Sequence, residues 1–169
     1  MVLQTEGDIN MLDAELKTLK RRKYLEYVCE KCKYVTFRID AESKTNSACI
    51  AEDLFDKMEP WLISSLRNKE YLGAIFGKKC YIYVYEMNDI FKEFLLKHKD
   101  IRKWRYPDYP EDPCFFTADK KCFMEISVHE NHCFIYDDSE ENIKMLRKNW
   151  VSFGKRIKEL EWDSPNFPE

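Results

Sequence analysis

The sequence predicts a single α+β domain in which an antiparallel sheet of about five strands is flanked by helices, with long amphipathic helices at both ends of the chain. Three observations lead to this prediction. Several stretches are rich in aromatic and β-branched residues, as strands are. Two terminal stretches carry apolar residues at steps of three and four, the period of an amphipathic helix. Polar turn segments separate the strand-like stretches, so neighbouring strands can pair as hairpins.

The first element is an amphipathic helix predicted over residues 8–22. The apolar stripe of this helix consists of Ile9, Leu12, Leu16 and Leu19. The basic run at 20–23 suits its C-terminus, where cations interact favourably with the helix dipole. Two strands are predicted next, with the segment Cys29–Cys32 as the turn between them.

The middle of the chain is predicted to alternate between helix and strand. Residues 49–66 show a helical pattern that contains Pro60, which predicts two helices or a kink because proline removes a helical hydrogen bond. Residues 78–87, "KKCYIYVYEM", indicate a strand. Asn88 is positioned to cap a helix that starts at residue 89.

The last part predicts an antiparallel meander and then a long helix. The meander covers residues 114–138, with turns at "TADKK" and "HENH". A helical stripe of about five turns follows. Its residues are Ile143, Leu146, Trp150, Phe153, Ile157 and Leu160. We expect one globular domain over 1–162, with helix 8–22 at its periphery and a flexible tail at 163–169. The two terminal stripes could also form a homodimer seam.

Composition restricts the class of protein. The chain is 44% hydrophobic and 15% aromatic, which indicates a globular protein. The formal charge is only −3, and this argues against a nucleic-acid-binding domain, which usually carries a basic excess. No apolar run approaches the ~20 residues of a membrane span, and no signal peptide is visible. We therefore expect a cytoplasmic protein with no membrane association. Its seven cysteines are expected to be reduced thiols.

Cys29 and Cys32 form a C-x-x-C motif, which is half of a structural zinc site. The sequence contains no second C-x-x-C. The donors that could complete such a site are His129, His132 and Cys133, or Cys114 and Cys122 on the predicted meander. The alternative is that the cysteines are reduced and fill the core and a turn. We therefore predict no cofactor, with zinc as the alternative.

The proline-rich segment at 101–113 is the predicted binding surface. It holds three of the six prolines, and a stiff loop loses little entropy on binding. Tryptophan, tyrosine and arginine are common interface hot spots. The predicted binding residues are Trp104, Arg105, Tyr106, Tyr109, Glu111 and Asp112. The alternative is a loop whose aromatic side chains seal the edge of the core.

The stretch "SVHENHC" at 127–133 concentrates groups capable of catalysis or metal binding. It does not match the H-E-x-x-H motif of zinc proteases, and no nucleophile with an orienting partner can be named. We therefore predict that the protein is not an enzyme. His129 and Glu130 are expected to form a structural, hydrogen-bonded corner.

Two basic clusters offer a different binding mode. "KRRK" at 20–23 and "RKWR" at 102–105 could contact phosphates, with Trp104 and Tyr106 stacking on bases. Solvated helix ends explain both clusters more simply.

A distinctive pattern, W-x-x-P-x-x-P-E-D-x-C-F…S-x-H-E, lies within about residues 50–137. Its residues are Trp104, Pro107, Pro110, Glu111, Asp112, Cys114, Phe115, Ser127, His129 and Glu130. The pattern resembles a family of small Firmicutes proteins, some of which carry the label "stage III sporulation protein AH". The resemblance implies no reaction. It does link the loop to the later turn, so we expect Glu111 or Asp112 to hydrogen-bond to His129.

The sequence therefore predicts a non-enzymatic module that binds another protein, such as an immunity- or inhibitor-type protein. The first alternative is a zinc-binding protein that uses Cys29 and Cys32. The second is a nucleic-acid-binding accessory protein.

Overall fold

The computed structural model describes residues 10–40, 50–71, 74–157 and 166–168. These ranges form one antiparallel sheet of eight strands with four α-helices. The strands are β1 Asn10–Ala14, β2 Tyr34–Asp40, β3 Leu62–Tyr71, β4 Ala74–Glu86, β5 Glu111–Phe116, β6 Cys122–Ser127, β7 His132–Ile135 and β8 Phe153–Ile157. The helices are α1 Arg22–Lys31, α2 Ile50–Met58, α3 Asp89–Lys97 and α4 Glu140–Lys148.

The strand order across the sheet is β3-β4-β2-β5-β6-β7-β1-β8. The prediction of about five strands with long terminal helices is therefore wrong. The described chain is richer in strands, and its four helices are only nine or ten residues long.

The N-terminal helix predicted over 8–22 is replaced by a strand and a short 3-10 turn, Leu16–Thr18; residues 8 and 9 lie outside the described ranges. Strand β1 lies between β7 and β8 and pairs with both. Leu12, Leu16 and Leu19 are all buried, as a helical stripe would also require. The strands that pair with β1 on both sides lie more than 100 positions away in the sequence. The local helical spacing of leucines therefore does not determine the structure of this segment.

The C-terminal helix predicted through residue 160 ends at Lys148. Trp150 adopts a left-handed backbone conformation, with φ of 56°. The chain then turns back and Phe153–Ile157 pairs with β1. The homodimer seam predicted from two long terminal helices therefore lacks those helices, and dimerisation itself stays a prediction.

The segment around the C-x-x-C motif is helical and is not a turn between strands. Cys29 lies inside α1, and Cys32 is the residue that ends it. The buried residues Tyr24, Leu25 and Val28 follow a helical spacing. The predicted break at Pro60 is present, but the chain continues into β3 instead of a second helix.

The predicted meander and the predicted cap of α3 are confirmed. The meander is formed by β5, β6 and β7, which pair in antiparallel order. Asn88 caps α3, because its side-chain oxygen accepts a hydrogen bond of 2.9 Å from the backbone N–H of Phe91. Among the described residues, no helix is both long and apolar enough to cross a membrane.

The main core lies on one face of the sheet, where residues of all four helices pack against the strands. A smaller cluster of buried residues consists of Cys80, Ile82, Cys114, Phe116 and Cys122. Phe167, from the segment predicted as a flexible tail, packs its ring against Tyr34 and Phe116. Residues 163–165 and 169 of that segment lie outside the described ranges.

Candidate functional site

The candidate site is an open groove of about 910 Å³ between α2 and α3. Each helix contributes residues at positions i, i+3, i+4 and i+7, which lie along one helical face. These residues are Ile50, Asp53, Leu54 and Lys57 from α2, and Ile90, Glu93, Phe94 and Lys97 from α3. The apolar members form the floor, and the exposed charged members form the rim.

His98, Pro107 and Asp108 close the groove beside α3. The segment that carries Pro107 is held against α3 by Trp104, whose side chain is 0% exposed. The indole N–H of Trp104 donates a hydrogen bond of 2.8 Å to the backbone oxygen of His98. The Trp104 ring also contacts Phe94 and stacks on Tyr109. The wall of the groove is therefore packed before any partner binds.

Tyr106 connects the same loop to α2. Its hydroxyl donates a hydrogen bond to the carboxylate of Glu52. Because Glu52 lies on α2 and Trp104 packs on α3, the loop bridges the two helices that line the groove. This arrangement fixes the spacing between them.

A buried ionic corner fixes the other end of the loop. Nη1 of Arg38 lies 3.2 Å from Oδ2 of Asp112 and 3.9 Å from Oε2 of Glu111. Oδ1 of Asp112 accepts a hydrogen bond of 2.8 Å from the backbone N–H of Val128. Oε1 of Glu111 accepts one of 3.2 Å from the backbone N–H of Tyr106. These bonds attach the loop to β2 and to the end of β6.

Glu111 also meets His129, as expected from the resemblance. Nε2 of His129 lies 3.4 Å from Oε1 of Glu111. Burial raises the pKa of the Glu111 carboxyl, whereas the nearby Arg38 and His129 act in the opposite direction. Glu130 is exposed, and its backbone N–H donates a hydrogen bond of 3.4 Å to the hydroxyl of Ser127. The geometry is that of a hydrogen-bonded corner.

The six predicted binding residues therefore divide into two groups. Trp104, Tyr106, Glu111 and Asp112 are buried, so these side chains build the loop and are not its outer surface. Arg105 is exposed and Tyr109 is half-buried. Sequence reasoning missed the groove itself. The mixed apolar and charged spacing of α2 and α3 was the signal for it, but that spacing also describes an ordinary surface helix.

A second polar cluster lies on β6 and β7. The Tyr136 hydroxyl donates a hydrogen bond of 2.7 Å to Oε2 of the buried Glu125. Nε2 of His132 lies 3.6 Å from Oε1 of the same carboxylate. Cys133 is a member of the main core, and side chains alternate along a strand. His132 and Cys133 therefore point to opposite faces of the sheet.

The candidate metal ligands Cys29 and Cys32 are buried in the main core. Burial raises the pKa of Cys29 to about 12 and also raises that of Cys32, so both thiols keep their protons at neutral pH. Within the described ranges, no group of three or more histidine, cysteine or acidic side chains is arranged to hold a metal ion. Zinc binding stays a prediction.

Comparisons with protein-family models, with curated proteins and with solved structures gave no match. The likeness to the sporulation-labelled family therefore stays a prediction. The functional argument depends on the geometry of the groove and its surroundings.

Proposed function

We propose that this chain is a non-enzymatic protein-binding module, of the immunity or inhibitor type, that recognises its partner through the groove between α2 and α3. The observation that supports this proposal is an open groove in which Ile50 is exposed, Ile90 and Phe94 are half-buried, and the wall is already packed. A preformed surface loses little conformational entropy on binding. The buried free thiols suit a reducing compartment, so we propose that the protein acts in the cytoplasm.

The partner segment that fits best is an amphipathic helix. A groove between two helices accepts the apolar face of a third helix and contacts side chains spaced three and four residues apart on that face. On the rim, α2 contributes Asp53 and Lys57, and α3 contributes Glu93 and Lys97. Because each side of the groove carries one acid and one base, the partner helix should carry both signs of charge beside its apolar stripe.

The residue that best tests the groove is Ile50, whose side chain is 43% exposed in the free protein. We expect Ile50→Asp to leave the fold intact and to weaken partner binding about tenfold or more, because it places a charge in an apolar contact. Ile63 on β3 is a matched control, since it is 49% exposed and does not line the groove.

The experiment begins with a photo-crosslinking residue in place of Lys57 on the rim, in protein incubated with lysate of the native host. The partner that is captured is then purified, and its affinity is measured for the parent, Ile50→Asp and Ile63→Asp. Loss of affinity in Ile50→Asp alone supports the groove. Equal affinity of all three proteins, or a loss in Ile63→Asp alone, places the interface elsewhere and overturns the proposal.

A further inference from the structure

Trp150 is the most exposed large apolar side chain among the described residues, at 77%. It occupies the position just after α4, where the backbone is left-handed and glycine is strongly preferred. The surrounding backbone is well fixed. The N–H of Val151 donates a hydrogen bond of 3.0 Å to the oxygen of Leu146, and the side-chain amide of Asn149 donates one of 2.8 Å to the oxygen of Met145. A strained backbone therefore presents a tryptophan to solvent.

The structure joins this tryptophan to the first basic cluster. Ser152 is held by the segment that precedes the cluster: its backbone N–H donates a hydrogen bond of 2.9 Å to the hydroxyl of Thr18. Its own oxygen accepts a bond of 2.8 Å from the backbone N–H of Glu15. The segment 15–18, which leads into the first basic cluster, therefore lies beside the chain that leaves α4.

The second basic cluster adjoins the first. The 3-10 turn Leu16–Thr18 contacts the 3-10 turn Ile101–Lys103. The hydrogen bond from Arg102 lowers the pKa of the Asp100 carboxyl, and the charge of Lys20 acts in the same direction. Clusters that lie about eighty residues apart in the sequence are thus neighbours in the fold. We name the combined surface the basic belt. Its exposed residues are Lys17, Lys20, Arg21, Arg22, Lys23, Arg102, Lys103, Arg105, Arg147, Lys148 and Trp150.

Few acidic groups offset the belt. Glu15 pairs with Lys17 at 2.9 Å, Glu26 pairs with Arg22 at 3.0 Å, and Asp100 pairs with Arg102 at 2.8 Å. The other cations of the belt form no ion pair within the part of the chain that the structure describes. They are Lys20, Arg21, Lys23, Lys103, Arg105, Arg147 and Lys148. The belt is therefore strongly positive although the whole chain carries a formal charge of −3.

We propose that the basic belt binds single-stranded nucleic acid, with Trp150 stacking on an unpaired base and the cations contacting the phosphates. Sequence-independent binding of single strands combines an aromatic platform with a positively charged track along the backbone. The belt provides both features. Trp104 and Tyr106, the stacking residues expected from the sequence, are buried and cannot fill that role.

A membrane surface suits the belt less well. Peripheral membrane binding needs a broad apolar face that enters the lipid, together with the cations. The belt has a single exposed apolar side chain, which matches one stacked base better than a lipid layer. This inference does not depend on the groove, because its residues lie outside the groove lining.

The test is fluorescence anisotropy of a labelled oligouridylate of about 20 nucleotides, long enough to cover the belt, at low salt and at about 0.2 M salt. We expect binding that weakens steeply with salt. Trp150→Gly should weaken it about tenfold without changing the salt slope, because stacking involves no counterion. Trp150→Phe should restore most of the affinity. Arg21→Ala should reduce the salt slope by about 0.7, which is one phosphate contact on a single strand.

Two variants serve as controls. Trp61→Ala removes a partly exposed tryptophan beside β3, at the sheet edge opposite β8. Lys121→Ala removes an exposed cation in the β5–β6 turn. Both should bind like the parent. Three results overturn the proposal: no binding at low salt, equal binding by Trp150→Gly and the parent, or binding to anionic phospholipid vesicles without binding to the oligouridylate. Circular dichroism of each variant distinguishes lost binding from lost folding.

Discussion

Trp104 and Trp150 lie at opposite extremes of exposure, one fully buried and the other more than three-quarters exposed. Their sequence contexts predict the opposite exposures. Trp104 stands in a proline-rich segment with two tyrosines, the composition of a binding loop, whereas Trp150 continues a helical stripe that indicates a core position. The structure reverses both readings. Aromatic residues near prolines can pack a loop against the core. Apolar residues at helical spacing do not predict burial beyond the point where the helix ends.

The two residues should therefore respond differently to substitution. Removing Trp104 should damage the fold and, through the loop, the groove. Removing Trp150 should spare the fold and affect only what binds to the belt. The predictions below test this contrast in order of decreasing effect.

The largest effect is expected from Trp104→Ala. The substitution leaves a cavity beside Phe91, Phe94 and Tyr109, and it removes the hydrogen bond to His98. The free energy of unfolding should fall by about 3–5 kcal/mol, as measured by urea denaturation. Trp61→Ala, at a partly exposed site, should lose about 1 kcal/mol or less. Similar losses in the two variants would contradict the structural role of Trp104.

A smaller but substantial loss is expected from Asp112→Ala. This carboxylate accepts hydrogen bonds from the Val128 backbone and the Arg38 guanidinium in a buried setting. Removing it should cost about 2–4 kcal/mol in urea unfolding. The exposed Asp108, in the same loop, offers a matched control, and its change to alanine should alter stability by less than about 0.5 kcal/mol. If Asp112→Ala were equally mild, the ionic corner would not hold the loop.

Glu111→Gln should change the pH dependence of stability. The folded-state pKa of Glu111 is raised above its ordinary value of 4.5, chiefly by burial. The folded protein therefore holds this proton more tightly than the unfolded chain does. The stabilisation is fully present below about pH 4.5 and is lost as the pH rises through the raised pKa.

Glutamine does not titrate, so the parent should lose unfolding free energy relative to Glu111→Gln between about pH 4.5 and neutrality. Urea unfolding of both proteins across this range measures the difference, and titrations common to both cancel. If the free energy of unfolding of the parent instead rose relative to that of Glu111→Gln as the pH increased, the charges of Arg38 and His129 would outweigh burial in setting the pKa of Glu111.

The sequence predicted the elements whose signals are local. Asn88 capped its helix as expected, and the meander of β5 to β7 followed its polar turns. The contact between Glu111 and His129 was expected from a pattern that joins two distant stretches. The function assigned to these residues stays a prediction.

The terminal segments could not be predicted because their structure depends on distant partners. Leu12, Leu16 and Leu19 satisfy a helical stripe equally well as a strand followed by a turn. Only the pairing of β1 with β7 and β8 decides between the two. The groove and the basic belt were missed for a related reason, since each combines segments that lie far apart in the chain.

The most direct test of the contrast between the two tryptophans is urea unfolding of Trp104→Ala and Trp150→Gly beside the parent. Glycine adopts the left-handed backbone conformation at position 150 without strain, although it also increases the entropy of the unfolded chain. The free energy of unfolding of Trp150→Gly should therefore rise by about 0.5–1 kcal/mol. Trp104→Ala should lose about 3–5 kcal/mol. The account predicts changes of opposite sign. A loss of stability of similar size in both variants would contradict it, because Trp150 would then be a packing residue like Trp104.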